Sequence, residues 1–264
     1  MLRQRILTAV ISLPILIAAI WFGEPWFTIF ITTAAILGSL EFFSLASHFK
    51  IQPLTYLGLI SVLLLIISPH CPGIMVTPFI ITLSITISLV WILFRSPKEQ
   101  AFSSWAWTMA GILYIGWMLS HWIDLRNLNG GRDWVLWAML ATFASDTGAF
   151  FAGSILGKHS MVSAISPNKT WEGALGGVVF AAAISLILGI SLSLPMTYWQ
   201  MIFLGCLISI FAQLGDLVES LLKRNTGSKD AGKLLPGHGG FLDRLDSIIF
   251  TGVIVYYYAV FTMS

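Results

Sequence analysis

Nine runs of predominantly apolar residues, separated by short polar loops, constrain this chain more than any other feature of its sequence. A helix needs about 20 such residues to cross the hydrocarbon core of a bilayer. The runs cover residues 6–22, 26–45, 54–69, 74–94, 104–123, 134–155, 173–194, 201–222 and 247–262. Charged residues make up only 10% of the 264 positions, against about 25% in a soluble domain, which excludes a soluble fold. The sequence predicts an all-α, polytopic integral membrane protein with about nine transmembrane helices.

The basic residues are distributed unequally between the two sets of loops that nine spans would create. Cytoplasmic loops of membrane proteins are enriched in Lys and Arg. One side contains only Arg126 and Arg132, whereas the other contains Arg3, Arg5, Lys50, Arg95, Lys98, Lys158, Lys169, Lys223, Arg224, Lys229, Lys233 and Arg244. This asymmetry predicts a multi-pass protein of the inner (plasma) membrane whose N-terminus and basic loops are cytoplasmic.

Polar residues are concentrated in the C-terminal part of the chain. Residues 1–100 are almost featureless apolar spans, in which Glu41 is the one carboxylate that we expect to be buried. We therefore predict that residues 101–264 form the catalytic region, with its cytoplasmic loops. For residues 1–100 the hypotheses are a homodimer interface or a wall along which lipid enters. The net charge of +2 predicts no nucleic-acid partner.

Three carboxylates lie inside predicted spans, where a charge is costly and is by default a functional residue. Asp146 lies in the sixth span, and Asp216 and Glu219 lie in the eighth. The spacing of three residues places Asp216 and Glu219 on one face of a helix. The alternative is that each carboxylate pairs with a Lys or Arg only to support helix packing.

A basic, glycine-rich loop joins the eighth span to the ninth. Residues 223–246 read KRNTGSKDAGKLLPGHGGFLDRLD and end in two carboxylates, Asp243 and Asp246. Glycines let the backbone approach an anion closely, and Lys and Arg neutralise phosphate. Carboxylates repel phosphates unless a divalent cation such as Mg²⁺ lies between them. The mixture predicts a site for Mg²⁺ with a nucleotide or a diphosphate. A loop that only binds anionic lipid would explain its lysines but not its glycines and carboxylates.

A second predicted cytoplasmic loop follows the sixth span. It ends in Lys169 and Thr170, which supply a cation and a hydroxyl where the seventh span begins. We predict that both contribute to the same phosphate site.

These motifs together resemble the phosphatidate cytidylyltransferase family, also called CDP-diacylglycerol synthases. The longest match is residues 220–246, which read SLLKRNTGSKDAGKLLPGHGGFLDRLD. Two shorter family elements occur in the family's order, SDTGA at residues 145–149 and KTWEG at residues 169–173. The resemblance covers roughly residues 144–247. One small departure is Phe150, where the family pattern has Tyr.

The resemblance implies a reaction in which CTP and phosphatidic acid give CDP-diacylglycerol and pyrophosphate, with Mg²⁺ required. The phosphate of phosphatidic acid would attack the α-phosphorus of CTP in line, so catalysis would depend on positioning and charge neutralisation. The lipid would enter laterally from the membrane, and CTP would enter from the cytoplasm. Several carboxylates near phosphates leave room for a second, monovalent cation such as K⁺.

The same resemblance implies roles for individual residues. The predicted metal ligands are Asp216 and Asp243, with Asp246, Asp146 and Glu219 as further candidates. The predicted catalytic residues are Lys223, Arg224, Lys229, Asp243, Asp246 and His238. The predicted substrate-binding residues are Lys169, Thr170, Ser220, Lys223, Arg224, Lys229, Gly239, Gly240 and Arg244.

An alternative function is ion- or proton-coupled transport. Asp146, Asp216 and Glu219 could line a path for an ion or a proton across the membrane. The basic, glycine-rich loop argues against this interpretation, because a proton path has no use for it.

Overall fold

The fold is a series of helices whose bounds follow the apolar runs of the sequence. The computed structural model describes residues 2–71, 73, 75–94, 98–227, 232 and 240–263. The α-helices are α1 Leu2–Phe22, α2 Trp26–Leu45, α3 Thr55–Ile67, α4 Val76–Leu93, α5 Ala101–Gly111, α6 Met118–Asn127, α7 Gly131–Leu156, α8 Trp171–Ser191, α9 Tyr198–Asn225 and α10 Asp246–Met263. A π-helical segment, Ile112–Trp117, joins α5 to α6, so the predicted span at 104–123 lies in one continuous helical stretch.

Among the described residues, five helical segments are long and apolar enough to cross a membrane: Trp26–Phe49, Val76–Leu93, Gly131–Leu156, Trp171–Ser191 and Tyr198–Asn225. Shorter apolar helices occupy Ser12–Phe22, Thr55–His70 and Asp246–Thr262. The prediction of a helical, multi-pass membrane protein is thus confirmed, whereas the number of nine spans stays a prediction.

A small β-hairpin interrupts the otherwise helical fold that the sequence predicts. Strands β1 (Ser160–Val162) and β2 (Ser166–Thr170) pair antiparallel in the segment between α7 and α8. The sequence predicts a loop for this segment. Each strand is too short and too polar to show the alternation of apolar and polar residues that predicts a half-buried strand.

The helices fall into two compact units. Unit 1 contains the described residues of Met1–Asp124 and Asn225–Leu245, and unit 2 those of Leu125–Arg224 and Asp246–Ser264. The predicted functional division at residue 100 stays a prediction, because it concerns roles and the units are defined by packing.

Large apolar side chains and close helix contacts build the core of unit 1. Leu65, Ile80, Met109 and Ile112 form a buried cluster in which helices α3, α4 and α5 meet. The ring of Phe43 lies so near Gly58 and Gly111 that a Cβ at either position would be within 2.5 Å of it. Glycine therefore lets α3 and α5 approach α2.

Small residues bring helices α7 and α8 together in unit 2. A Cβ at Gly148 would lie 2.4 Å from the side chain of Phe180, and one at Gly176 would lie 2.2 Å from that of Ala152. Such small-residue contacts are typical of helix packing in membranes. On the same helix α7, the hydroxyl of Ser145 lies 2.7 Å from that of Ser209 on α9. These contacts hold helices α7, α8 and α9 together within unit 2.

Candidate active site

A close approach between α9 and α10 places the acidic residues of unit 2. Gly215 of α9 faces the first residue of α10, and a Cβ at this position would lie only 2.3 Å from the carbonyl oxygen of Asp246. The absence of a side chain at Gly215 lets the start of α10 lie against α9. Asp246 is thereby brought beside Asp216, the residue that follows Gly215.

The carboxylates of Asp216, Glu219 and Asp246 form an acidic cluster. Each offers an oxygen, and these oxygens lie within 4.8 Å of one another. Glu219 is fully buried, whereas Asp216 and Asp246 are partly exposed. Ser220 Oγ donates to Asp216 Oδ1 at 3.4 Å, and the backbone N–H of Ser247 donates to Asp246 Oδ1 at 2.7 Å. Three hard oxygen donors in this arrangement suit a divalent cation such as Mg²⁺.

Two lysines flank the acidic cluster. Lys169, at the end of β2, places its Nζ 2.7 Å from Oδ2 of Asp216. Lys223 forms an ion pair with Glu219 one turn earlier on α9, and its side chain is mostly buried. The two lysines therefore offset part of the negative charge of the cluster, and Asp216 stays partly exposed.

Asp146 of α7 lies near this cluster but is more exposed than its members. Its charge interacts with those of Asp216 and Lys169, and with that of Asp246. The structure thereby brings together four of the five predicted metal ligands, since Asp146, Asp216, Glu219 and Asp246 all belong to unit 2.

Glu172 anchors the hairpin that carries Lys169. Its Oε2 accepts the backbone N–H groups of Lys158 and His159 at 3.1 and 3.2 Å, and its Oε1 lies 2.6 Å from Nδ1 of His159. Arg224 Nε donates to the carbonyl oxygen of Ile165 at 2.9 Å, so α9 also holds the hairpin turn. Glu172 belongs to the family motif at residues 169–173 and directly precedes the predicted span that begins at residue 173, but no role is predicted for it from the sequence.

Thr170 serves as the N-cap of α8. Its hydroxyl accepts the backbone N–H of Gly173 at 3.2 Å, which is the capping geometry that threonine favours. The family resemblance predicts that Thr170 binds substrate. The structure gives its hydroxyl this structural bond, and a contact with substrate stays a prediction.

Replacing Thr170 by Ala should lower the free energy of unfolding by about 1 kcal/mol, because the capping acceptor is lost. Replacement by Ser keeps the hydroxyl and should leave stability nearly unchanged. Thermal unfolding in detergent measures both. If Thr170 only caps the helix, the KM for CTP should be unchanged in the Ala variant. An unchanged Tm in the same variant would contradict the capping role.

The remaining predicted residues that the structure describes belong to unit 1. A turn at Leu242–Arg244 carries Asp243 and Arg244, and the backbone N–H of Gly240 donates to Oδ2 of Asp243 at 2.7 Å. Asp243 therefore stabilises its own turn, and its metal-binding role stays a prediction. Arg244 is exposed. Three predicted residues, Lys229, His238 and Gly239, lie outside the described residues.

Comparison with known proteins places the chain in a family. The model of the cytidylyltransferase family matches residues 3–262. The chain belongs to the cytidylyltransferase family. The resemblance recognised in residues 144–247 is thereby confirmed, and it extends to the apolar N-terminal spans that carried no motif.

Several relatives of the chain are phosphatidate cytidylyltransferases. The one from Bacillus subtilis (strain 168) is 34% identical, over 97% of each chain. The one from Staphylococcus epidermidis (strain ATCC 12228) is 34% identical, over 94% of this chain and 95% of the relative. The one from Staphylococcus aureus (strain COL) is 32% identical over the same shares. Family membership makes this chain a cytidylyltransferase enzyme, and the interpretation as an ion- or proton-coupled transporter is not supported.

Proposed function

We propose that this chain transfers the cytidylyl group of CTP to phosphatidic acid, giving CDP-diacylglycerol and pyrophosphate, a step of phospholipid biosynthesis. The observation that carries the proposal is the acidic cluster of unit 2, with Lys169 and Lys223 at its border. Such a site suits a reaction between two phosphate-bearing substrates. The names of the relatives supply the identity of both substrates.

The reaction needs an arrangement of charges more than it needs covalent chemistry. An oxygen of the phosphatidate phosphate forms a bond to the α-phosphorus of CTP, and the bond from that phosphorus to the bridging oxygen of the β-phosphate breaks. Pyrophosphate leaves with the electron pair. Lys169 and Lys223 would neutralise negative charge on the phosphates, together with the predicted contributions of Arg224 and Lys229. Stabilisation of this kind is the main source of rate enhancement in phosphoryl transfer.

The acidic cluster of Asp216, Glu219 and Asp246 would hold Mg²⁺. When bound, the ion supplies positive charge that offsets repulsion between these carboxylates and the phosphates of CTP. Asp146 lies close enough to contribute through its charge. Asp243 is proposed as a further ligand on the basis of its motif. A second cation such as K⁺ and the proposed roles of Ser220, Gly239, Gly240, Arg244 and His238 rest on the family resemblance alone.

The position of the site relative to the membrane is part of the proposal. The excess of Lys and Arg in one set of loops supports a cytoplasmic N-terminus, nine spans and an active site at the cytoplasmic interface of the inner membrane. Phosphatidic acid would then reach the site from the bilayer, and CTP from the cytoplasm. A homodimer, the remaining proposed partner, can be tested by cross-linking in membranes.

The purified protein in detergent, supplied with labelled CTP and phosphatidic acid, should form a lipid-linked CMP product only when Mg²⁺ is present. Excess chelator should abolish the product, and Mg²⁺ added beyond the chelator should restore it. Thin-layer separation of the lipid extract measures the product. Diacylglycerol in place of phosphatidic acid is the control, because it lacks the attacking phosphate. Failure to form product with any divalent cation would overturn the proposed function.

A further inference from the structure

Glu41 is a buried carboxylate in the middle of the apolar N-terminal spans. It lies on α2, and only 4% of its surface is exposed. A buried carboxylate is costly unless hydrogen bonds compensate it. Its Oε2 accepts the backbone N–H of Leu242 at 2.8 Å, a contact that joins residues 201 positions apart in the chain. Both residues belong to unit 1.

Two glycines of the basic, glycine-rich loop lie against the same carboxylate. A Cβ at Gly232 would meet Oε1, Cδ and Cγ of Glu41 at 2.2, 2.4 and 2.7 Å, and these are its three nearest atoms. A Cβ at Gly240 would lie 2.7 Å from Oε2 of Glu41 and 3.0 Å from Oδ2 of Asp243. Glycine at both positions therefore provides the space that the Glu41 carboxylate occupies.

The same face of α2 supports the rest of the turn. Gly38 lies three residues before Glu41, and a Cβ there would lie 3.0 Å from the side chain of Leu245. Leu242 is fully buried. Residues 240–245 are thus held on α2 at Glu41 and at Gly38, and this segment carries Asp243 and directly precedes Asp246 in the chain.

We propose that Glu41 is a positioning residue of the active site. It binds the backbone of Leu242 and packs between Gly232 and Gly240, and so fixes the conformation in which Asp243 is presented. This inference rests on the proposed function for its effect on catalysis, whereas the contacts themselves do not depend on it. The N-terminal spans would thereby position a predicted metal ligand of their own unit, in addition to any interface they form.

Hydrogen exchange and activity of Glu41 variants test this role. In Glu41→Ala, exchange at the Leu242 amide should accelerate roughly tenfold or more, because a charge-assisted hydrogen bond is lost. The kcat should fall by a similar factor, with a smaller change in the KM for CTP. Glu41→Gln keeps an acceptor oxygen and should restore most of both. The control Glu99→Ala removes an exposed carboxylate and should change neither.

A double-mutant cycle with Gly232 gives a test that does not depend on how well Glu41→Ala folds. Gly232→Ala alone should accelerate exchange at Leu242 and lower kcat, because its new Cβ meets Glu41. With Glu41→Ala or Glu41→Asp already present, the same substitution should have a much smaller effect, since coupling appears as non-additivity. Additive effects, or unchanged Leu242 exchange in every Glu41 variant, would overturn the proposal. If exchange at Leu242 changes as expected but the wild-type protein has no cytidylyltransferase activity, the contact is confirmed and the proposed function is wrong.

Discussion

Replacing Asp216 by Asn should lower kcat by about 10²–10³-fold, the range seen when one preorganised electrostatic group is removed from an active site. The side chain keeps its size, but Lys169 loses the carboxylate oxygen that lies 2.7 Å from its Nζ. The acidic cluster also loses one of its three carboxylates. Initial rates at saturating CTP and phosphatidic acid, measured over a range of Mg²⁺ concentrations, provide the check.

Ligand-induced stabilisation distinguishes a metal ligand from a residue that only supports the fold. Mg²⁺ that binds the folded state raises its Tm by mass action, so the wild type should show a Mg²⁺-dependent rise that Asp216→Asn loses. Asp133→Asn is the matched control, because Asp133 pairs with its neighbour Arg132 outside the cluster and should leave rate and Mg²⁺ response unchanged. A Mg²⁺-dependent Tm rise of wild-type size in Asp216→Asn would contradict the metal assignment.

The sequence predicted those parts of the fold and site that depend on local geometry. The apolar runs predict the positions of the helices, because a segment that spans a membrane must satisfy its own backbone hydrogen bonds. The i, i+3 spacing correctly placed Asp216 and Glu219 on one helix face, because that relation depends only on the helical repeat. The resemblance correctly gave the family, because its motifs combine many fixed residues at fixed spacings.

Local sequence patterns do not predict contacts between segments that are distant in the chain. Nothing in residues 246–247 indicates that Asp246 lies against Gly215, since this proximity depends on how α9 and α10 pack. The bond between Glu41 and Leu242 spans most of the chain and has no periodic signal. The cap that Thr170 forms on α8 is a local contact, and its predicted contact with substrate stays a prediction.

Replacing Gly215 by Ala should lower both stability and activity, although Gly215 carries no functional group. The new Cβ would lie 2.3 Å from the carbonyl oxygen of Asp246 and 3.0 Å from the ring of Phe250. Because a backbone atom cannot rotate away, α10 must move from α9. We expect about 1–3 kcal/mol of destabilisation from overpacking, and about a 10²-fold loss of kcat, since displacement by about 1 Å has that effect on a catalytic arrangement.

Gly189→Ala is the matched control for this substitution. A Cβ at Gly189 would lie 2.5 Å from the sulfur of Met201, and its three nearest atoms all belong to that side chain. Methionine can adopt other rotamers, and Met201 lies about 20 Å along α9 from Gly215 at 1.5 Å per residue. Gly189→Ala should therefore keep nearly full kcat with at most a modest fall in Tm. If the two variants lose kcat equally, general loosening of the helices explains the effect, and the contact between Gly215 and Asp246 does not position the acidic cluster. A selective loss in Gly215→Ala means that close helix packing, as well as the carboxylates, builds the metal site.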